Sequence, residues 1–583
     1  MQYQVQPKSR HTPVAFGFLL LYMAALSTLL WKIGFGISPE EQELLAVFLS
    51  TVALVGALHL AISTYHGLHS RKPSALILDG LLVLYSVVAL FQELFSGFQG
   101  YYSEWIHFAI FVQALRHFSR FRLNYRRSFL NPAQLFIGSF LVLILLGAGL
   151  LMLPKATYSG ISLIDALFTS TSAVCVTGLI VVDTQAHFTP LGHWLIMALI
   201  QVGGLGILTF ASYFSFFFKG GATYENQIAL SDITSSEKIG EVFTTLRRII
   251  VITFLVELIG AVMIFSTLGD SLKGSWSEKL FFSVFHSISS FCNAGFSTLT
   301  LGMADERVLF NYPLQLSIIG IFVFGGLGFP IVINSLRYFK YTLLRLFYRL
   351  QGTQYRFKPW ILTLSNRLNL STTLILSLVG TCIILYKEFD NVLKGHSLLG
   401  KIVTAVFTAT TPRTAGYNSI DFSQLHFSSI IIIIFLMWVG ASPASTGGGI
   451  KTSTFAIATL NFFSLARGKH KIEIFNRQIA DISVQRAFAV MSLSLVVIGM
   501  SVFWIAHFDP DQPLLDIAFE SFSAYSTVGL SLGITGQLSW QSKLVLIITM
   551  FIGRVTMLTI LISLFKRARL ASYSYPREEI LIN

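Results

Sequence analysis

Apolar stretches long enough to cross a bilayer recur along almost the whole chain, and this repetition constrains the fold more than any single motif. A membrane helix needs about 20 apolar residues. Candidates cover 14–31, 44–65, 75–92, 105–115, 133–153, 191–218, 249–268, 313–336, 370–386, 428–463, 487–506 and 544–565. Twelve crossings follow if the short fourth stretch spans. Composition agrees: of 583 residues, 54% are hydrophobic and 12% charged, with mean hydropathy +0.68. A soluble surface needs about a quarter of its residues charged. Soluble domains, disorder, a coiled coil and a secreted disulfide scaffold are therefore excluded. Cys175, Cys292 and Cys382 are too few and too scattered for a disulfide framework or a zinc site. The first stretch has no small-residue cleavage site and is expected to be an anchor.

The net charge of +13 raises nucleic acid as a partner, but its distribution argues against one. Segments 1–13, 66–73, 116–127, 219–248, 337–367, 464–486 and 566–583 hold 29 of the 41 Lys and Arg residues. Basic connections mark the cytoplasmic side, so both termini are expected there. The opposite side holds 18 of the 28 acidic residues, an arrangement that raises local cation concentration.

After residue 130 the chain repeats itself. The expected units are 131–222, 223–345, 346–470 and 471–583, preceded by a region, 1–130, with about four extra spans. Each unit reads as apolar span, short half-apolar segment, small-residue loop with one central glycine, second span. The glycines are Gly178, Gly295, Gly416 and Gly529, spaced 117, 121 and 113 residues apart. A further glycine follows in each second span, at Gly203, Gly325, Gly440 and Gly553. The short segments, 163–173, 279–291, 399–411 and 514–525, are too short to cross. They read as re-entrant helices, because irregular backbone at membrane depth must line a water-filled cavity or be buried in protein.

These features predict an all-α integral membrane protein with four pseudo-repeated helix–re-entrant loop–helix units around one pore. Glycine permits positive φ, so loop carbonyls can face the axis. A ring of carbonyls can replace the hydration shell of a monovalent cation, and the carbonyl ends of four short helices add a favourable field. The expected filter comprises Val176, Thr177, Gly178, Asn293, Ala294, Gly295, Thr414, Ala415, Gly416, Thr527, Val528 and Gly529. The four loops contain no carboxylate, which argues against a divalent ion. One glycine per loop suggests few ordered ion positions. Read singly, each glycine is equally a helix-packing contact.

Several motifs resemble the Trk/Ktr/HKT superfamily of potassium transporters. They are Thr171-Ser-Ala-Val-Cys-Val-Thr-Gly-Leu179, Phe285-His-Ser-Ile-Ser-Ser-Phe-Cys-Asn-Ala-Gly-Phe-Ser297, Thr411-Pro-Arg-Thr-Ala-Gly-Tyr-Asn418 and Ser523-Ala-Tyr-Ser-Thr-Val-Gly-Leu530, with Ser445-Thr-Gly-Gly-Gly-Ile-Lys451 and Phe551-Ile-Gly-Arg-Val555. The stretch 442–452 and the Tyr-Pro-Arg-Glu-Glu tail look closer to the Ktr branch. The likeness covers about residues 130–583. It implies potassium uptake through a channel-like pore, with sodium as a second candidate cargo and symport as a further expectation. It also implies a homodimer with a pore in each subunit, a cytoplasmic ring of nucleotide-binding regulatory subunits (TrkA/KtrA-like), and a plasma-membrane location, the inner membrane if the cell is Gram-negative. No enzyme activity is implied. The sequence departs from the family pattern in its extra N-terminal spans, and in Cys292 and Cys175, where the family often has Asn and Ser.

The third unit's second span is interrupted by Gly440-Ala-Ser-Pro-Ala-Ser-Thr-Gly-Gly-Gly449. Glycine costs a helix about 1 kcal/mol and proline about 3. The family resemblance makes this loop an intramembrane gate, with Gly440, Ser445, Thr446, Gly447, Gly448, Gly449 and Lys451 as its residues. A static kink is the plainer reading. A phosphate-binding loop fails on spacing, since Ile450 separates Gly449 from Lys451. Arg554 lies mid-span, and an intramembrane charge is a functional candidate by default. It is expected to tether the gate or to limit ion occupancy. Glu257 is also deep and expected to meet a buried polar group, and Asp79 is expected to snorkel or pair locally. Arg116, Arg120, Arg122, Arg126 and Arg127 raise a voltage sensor, but they keep no three-residue period. Two other function classes remain open. A secondary transporter of sodium or another small solute needs inverted repeats around a midplane site. A membrane enzyme needs a carboxylate pair or His cluster at depth, and His286 stands alone.

Overall fold

The computed structural model describes residues 12–36, 38–67, 73–95, 103–120, 132–206, 242–269, 271–272, 274–351, 362–469 and 471–555. The basic stretches at 1–11, 121–131, 207–241 and 556–583, with Arg122, Arg126, Arg127 and the Tyr-Pro-Arg-Glu-Glu tail, lie outside the described residues.

Helices α1 (Thr12–Gly34), α2 (Pro39–Gly67), α3 (Pro73–Phe95) and α4 (Ser103–Arg120) pack on one another. Small residues let them approach: Ala25, Ala53, Ala89 and Ala114 lie buried in this core with Tyr22, Leu49 and Ile110. The fourth stretch, expected to be only 105–115, forms an 18-residue helix. Its polar residues are absorbed by the bundle: Gln113 donates to Ser86 Oγ at 2.8 Å and to the Ala53 carbonyl at 3.1 Å. Asp79 does not snorkel. It is fully buried and paired with Arg116 of α4 at 2.6 Å. The bundle meets the rest of the chain where the Lys155 N–H donates to the Gly34 carbonyl at 3.1 Å.

Four groups of helices follow, each with a long helix, a short helix and a further apolar helix after it. The first unit comprises α5 (Pro132–Leu151), α6 (Leu163–Val174), the single turn α7 (Thr184–His187) and α8 (Pro190–Leu205). The second has α9 (Val242–Leu268), α10 (Trp276–Cys292), α11 (Tyr312–Leu327) and α12 (Phe329–Leu350). The third has α13 (Leu364–Glu388), α14 (Leu398–Thr410), α15 (Phe427–Trp438) and α16 (Thr452–Ala466). A hairpin of β1 (Glu473–Ile474) and β2 (Arg477–Gln478) leads to the fourth: α17 (Asp481–Phe508), α18 (Leu514–Ser526) and α19 (Trp540–Val555).

Local sequence fixes where these helices start. Ser162, Ser275 and Ser397 cap α6, α10 and α14, each side chain accepting from the third N–H beyond it. Such caps are worth about 1 kcal/mol. Thr189 and Asn311 cap α8 and α11 beside a proline in the first turn. Packing between units is cyclic. The last span of each unit touches the short helix of the next: α8 on α10, α11 on α14, α15 on α18, and α19 back on α6.

Six described helices are long and apolar enough to cross a membrane by length and composition. The twelve expected spans differ from these for identifiable reasons. Spans 191–218 and 544–565 run past the described residues. Span 428–463 divides into α15 and α16. Span 313–336 is not one helix: it breaks at Gly328 (φ 81°), ahead of Pro330, and turns through 109°. Proline lacks the N–H and clashes with the preceding turn, so the break falls there. The second short helix has 17 residues, longer than the 12–15 expected, because its Ser275–Glu278 capping box extends it. The chain is a multi-pass, all-α membrane protein.

Candidate functional site

The four glycine turns follow the C-termini of α6, α10, α14 and α18. Each contains two residues at positive φ: Val176 (55°) and Gly178 (91°), Asn293 (60°) and Gly295 (68°), Thr414 (75°) and Gly416 (78°), Thr527 (49°) and Gly529 (94°). The residue between each pair has negative φ. Alternating backbone hand turns successive N–H groups to one side, and hence successive carbonyls to the other.

The N–H side faces each unit's own short helix. Thr177 N donates to the Ser172 carbonyl (2.8 Å) and Gly178 N to Ser172 Oγ (3.0 Å). Val528 N donates to the Ser523 carbonyl (2.9 Å) and Gly529 N to Ser523 Oγ (3.1 Å). Ala294 N donates to the Ser289 carbonyl (2.7 Å), and Ser289 Oγ to the Phe296 carbonyl (2.8 Å). In the third unit Ala415 N and Gly416 N both donate to the Thr411 carbonyl, and Thr411 Oγ1 to the Tyr417 carbonyl (2.9 Å). Among the described residues, none of the carbonyls of the expected filter residues accepts a hydrogen bond. Buried carbonyls are normally paired, so this set is left available to a cation.

The turns also meet one another. A Cβ added to Gly178 would stand 2.3 Å from the Ala294 carbonyl oxygen; on Gly295, 3.0 Å from that of Ala415; on Gly416, 2.0 Å from that of Val528; on Gly529, 2.2 Å from that of Thr177. The order is cyclic and closes on itself. On one side of this ring lies a vestibule of about 350 Å³, lined by the four glycines with Ser297 and Ser531 among others.

On the other side lies the loop between α15 and α16. A Cβ on Gly447 would fall 2.0 Å from Thr414 Oγ1, and one on Gly448 2.3 Å from Thr527 Oγ1. Gly440 packs on the Gly448 carbonyl, while Gly449 (φ 68°) lies beside Ser526. Lys451 Nζ donates to the Gly447 carbonyl at 2.6 Å. Thr446 Oγ1 donates to the Phe291 carbonyl at 3.2 Å. Ser445 is buried, and its Oγ has no hydrogen-bond partner among the described residues. Arg554, 3% exposed, donates to the carbonyls of Thr446 and, at 3.0 Å, Gly203. Glu257 accepts from Gln201 Nε2 at 2.9 Å.

Sequence reasoning missed the supports behind the ring. His286, read as isolated, bonds Ser297 Oγ through Nε2 at 3.0 Å. Thr408 bonds Ser419 at 3.1 Å, and Glu520 accepts from Ser531 and, at 3.0 Å, Thr535. In the first unit the matching Thr169 has no partner among the described residues. Arg413, inside the third loop sequence, points away into α13, donating to the Thr373 carbonyl at 3.2 Å. A signal for the anchors was present. Ser172, Ser289 and Ser523 each stand six residues before their glycine, whereas Thr411 stands five before Gly416.

Residues 102–573 match the TrkH family of cation transport proteins. The chain is 35% identical over 465 residues to the potassium/sodium uptake protein NtpJ of Enterococcus hirae, an alignment covering 78% of this chain and 98% of that protein. It is 35% identical over 458 residues to the Ktr system potassium uptake protein B of Bacillus subtilis, covering 78% and 96%. The fold is similar to the crystal structure of the potassium transporter TrkH from Vibrio parahaemolyticus, with a TM-score of 0.59, 17% identity, and coverage of 90% of this chain and 98% of that one. The chain belongs to the Trk/Ktr/HKT superfamily, on its Ktr-like side.

Proposed function

We propose that the chain is a channel-like potassium uptake protein. The observation that carries the reading is the closed ring of Gly178, Gly295, Gly416 and Gly529, each against a carbonyl of the next turn, with the filter carbonyls free of hydrogen bonds among the described residues. Carbonyl oxygens fixed by the short helices substitute for the water shell of a dehydrated alkali ion. The C-terminal ends of those helices lower the cost of holding its charge. The short helices and turns act as re-entrant pore loops, and the vestibule faces outward.

The loop 440–449 blocks the pathway beneath the ring, with Arg554 holding it shut. Opening is driven by a cytoplasmic, nucleotide-binding regulatory subunit, as the Ktr system relatives suggest, and the chain works as a homodimer in the plasma membrane with both termini inside. Sodium is the second candidate cargo. Rubidium uptake in a potassium-uptake-deficient cell tests the reading. Gly416→Ser places a side chain on the Val528 carbonyl and is expected to abolish uptake at unchanged protein level. Unchanged uptake overturns the proposal.

A further inference from the structure

The short helices carry four equivalent side chains behind the ring. Thr169, His286 and Glu520 stand nine residues before Gly178, Gly295 and Gly529, and Thr408 stands eight before Gly416. All four are buried, at 2% exposure or less. Three of them fasten the chain that leaves the turn: His286 bonds Ser297, Thr408 bonds Ser419, and Glu520 bonds Ser531. Thr169 bonds nothing among the described residues, and the residue two beyond Gly178 is Ile180, which has no hydroxyl. A clamp of this kind needs only hydrogen-bonding capacity, which Thr408 supplies without a charge. Glu520 alone of the four is acidic.

The Glu520 carboxylate is fully buried, and buried charges are normally paired. Its contacts are the hydroxyls of Ser531 and Thr535, both donating, which suits an ionised carboxylate that can only accept. Among the described residues no cation lies within ion-pair distance of it. The helices packed against α18 are α15, α17 and α19. The first has no charged residue. On α19, Lys543 is held by Asp165 at 2.8 Å and Arg554 by the loop under the ring. On α17, Arg486 stands about 33 Å from the end that leads into α18. The ring is the remaining place for a positive charge. Ser531 follows Gly529 by two residues, so the carboxylate stands no more than about 12 Å from that glycine.

We propose that Glu520 is the fixed negative charge that sets cation affinity in the ring, with the transported ion as its counter-ion. At about 12 Å and an effective dielectric of about 20, one unit charge raises affinity for another about tenfold. A field of this kind attracts sodium and potassium alike, so it governs affinity and leaves discrimination to the carbonyls. The inference rests on the pore reading and names the residue that supplies its electrostatics.

The test uses the full chain in a potassium-uptake-deficient cell, with Glu520→Gln, which keeps the shape and an acceptor oxygen for Ser531 and Thr535 but removes the charge. Rubidium uptake is measured against rubidium concentration, because KM does not depend on the amount of protein. The KM is expected to rise about tenfold, with the maximal rate close to wild type and the ratio of sodium inhibition constant to rubidium KM unchanged. A role as clamp alone predicts a wild-type KM, since the glutamine still bonds both hydroxyls, and that result overturns the proposal. So does a changed sodium ratio, which means the ring itself has been deformed. Glu520→Asp keeps the charge and shortens the clamp, and is expected to recover most of the affinity. If the Gln variant does not reach the membrane, the Asp variant decides: a KM raised tenfold there overturns the proposal. Wild type without rubidium uptake sinks the pore reading, whereas normal uptake with an unaltered KM in the Gln variant sinks only the role of the charge.

Discussion

Arg554 of the last helix binds the main-chain oxygens of Thr446, in the loop under the ring, and of Gly203, in the first unit's second span. One guanidinium thus joins the loop and the first unit, at partners 108 and 351 residues from Arg554 in sequence. Hydrogen bonds to charged groups contribute about 1.5–3 kcal/mol. Arg554→Gln keeps the length and removes the charge, which loosens the tether. Rubidium uptake without the regulatory subunit is expected to rise roughly tenfold, the equivalent of about 1.4 kcal/mol. A variant as quiet as wild type, at equal membrane abundance, removes the tether from the account.

The anchors behind the turns set how firmly the ring holds its size. Thr411→Val is close to isosteric and deletes the bond from Oγ1 to the Tyr417 carbonyl. Its effect on stability is expected to be near 1 kcal/mol, with the larger effect on discrimination. Competition assays are expected to show sodium displacing rubidium several-fold better than in wild type. The conservative Thr411→Ser retains the bond and is expected to restore selectivity. Equal sodium competition in all three proteins would assign Thr411 a packing role.

The apolar periods carried the multi-pass, all-α architecture, and the spacing of the four glycines led to four turns that share a positive-φ pattern. Other features could not be read from the sequence. Val176, Thr414 and Thr527 are β-branched, and such residues rarely announce positive φ; only the neighbouring turns force it. The third turn is one residue shorter from anchor to glycine, so the Ser172, Ser289 and Ser523 pattern hid Thr411. The right-angled exit at Gly328 was concealed because apolar residues continue on both sides of Pro330, and composition does not encode direction. Asp79 and Arg116 were visible as charges, but their pairing depends on α3 packing against α4.

That pair makes a test of the N-terminal bundle. Asp79 is fully buried against Arg116 at 2.6 Å. Breaking a buried pair by removing one member costs about 3–5 kcal/mol. Asp79→Asn and Arg116→Gln are each expected to lower the unfolding midpoint in detergent, and the double variant to be less damaged than the sum of the two. The coupling from the double-mutant cycle is expected at about 1–3 kcal/mol. Strict additivity would show that the two charges do not depend on each other. Uptake by a protein that still folds is expected to be unchanged, because the filter and loop residues lie in the four later units.

Two helix-interior glycines separate packing from propensity. A Cβ on Gly553 of α19 would stand 1.8 Å from the Tyr525 carbonyl oxygen, whereas one on Gly320 of α11 meets nothing within 4 Å. Alanine favours a helix over glycine by about 1 kcal/mol, so propensity alone predicts that both substitutions stabilise. The geometry predicts opposite signs. Gly320→Ala is expected to raise the unfolding midpoint or leave it unchanged, with normal uptake. Gly553→Ala forces α19 off the C-terminal end of α18, where the fourth turn begins, and drags Arg554 with it. It is expected to cost several kcal/mol as an overpacked contact against backbone that cannot yield, and to depress uptake even where protein reaches the membrane. Gly203 and Gly325 stand in the same relation to the carbonyls of Val174 and Phe291, at 2.2 and 2.0 Å, so their alanine variants are expected to fail in the same way. If Gly553→Ala behaves like Gly320→Ala, the close approach of second span to short helix is not what fixes the turns.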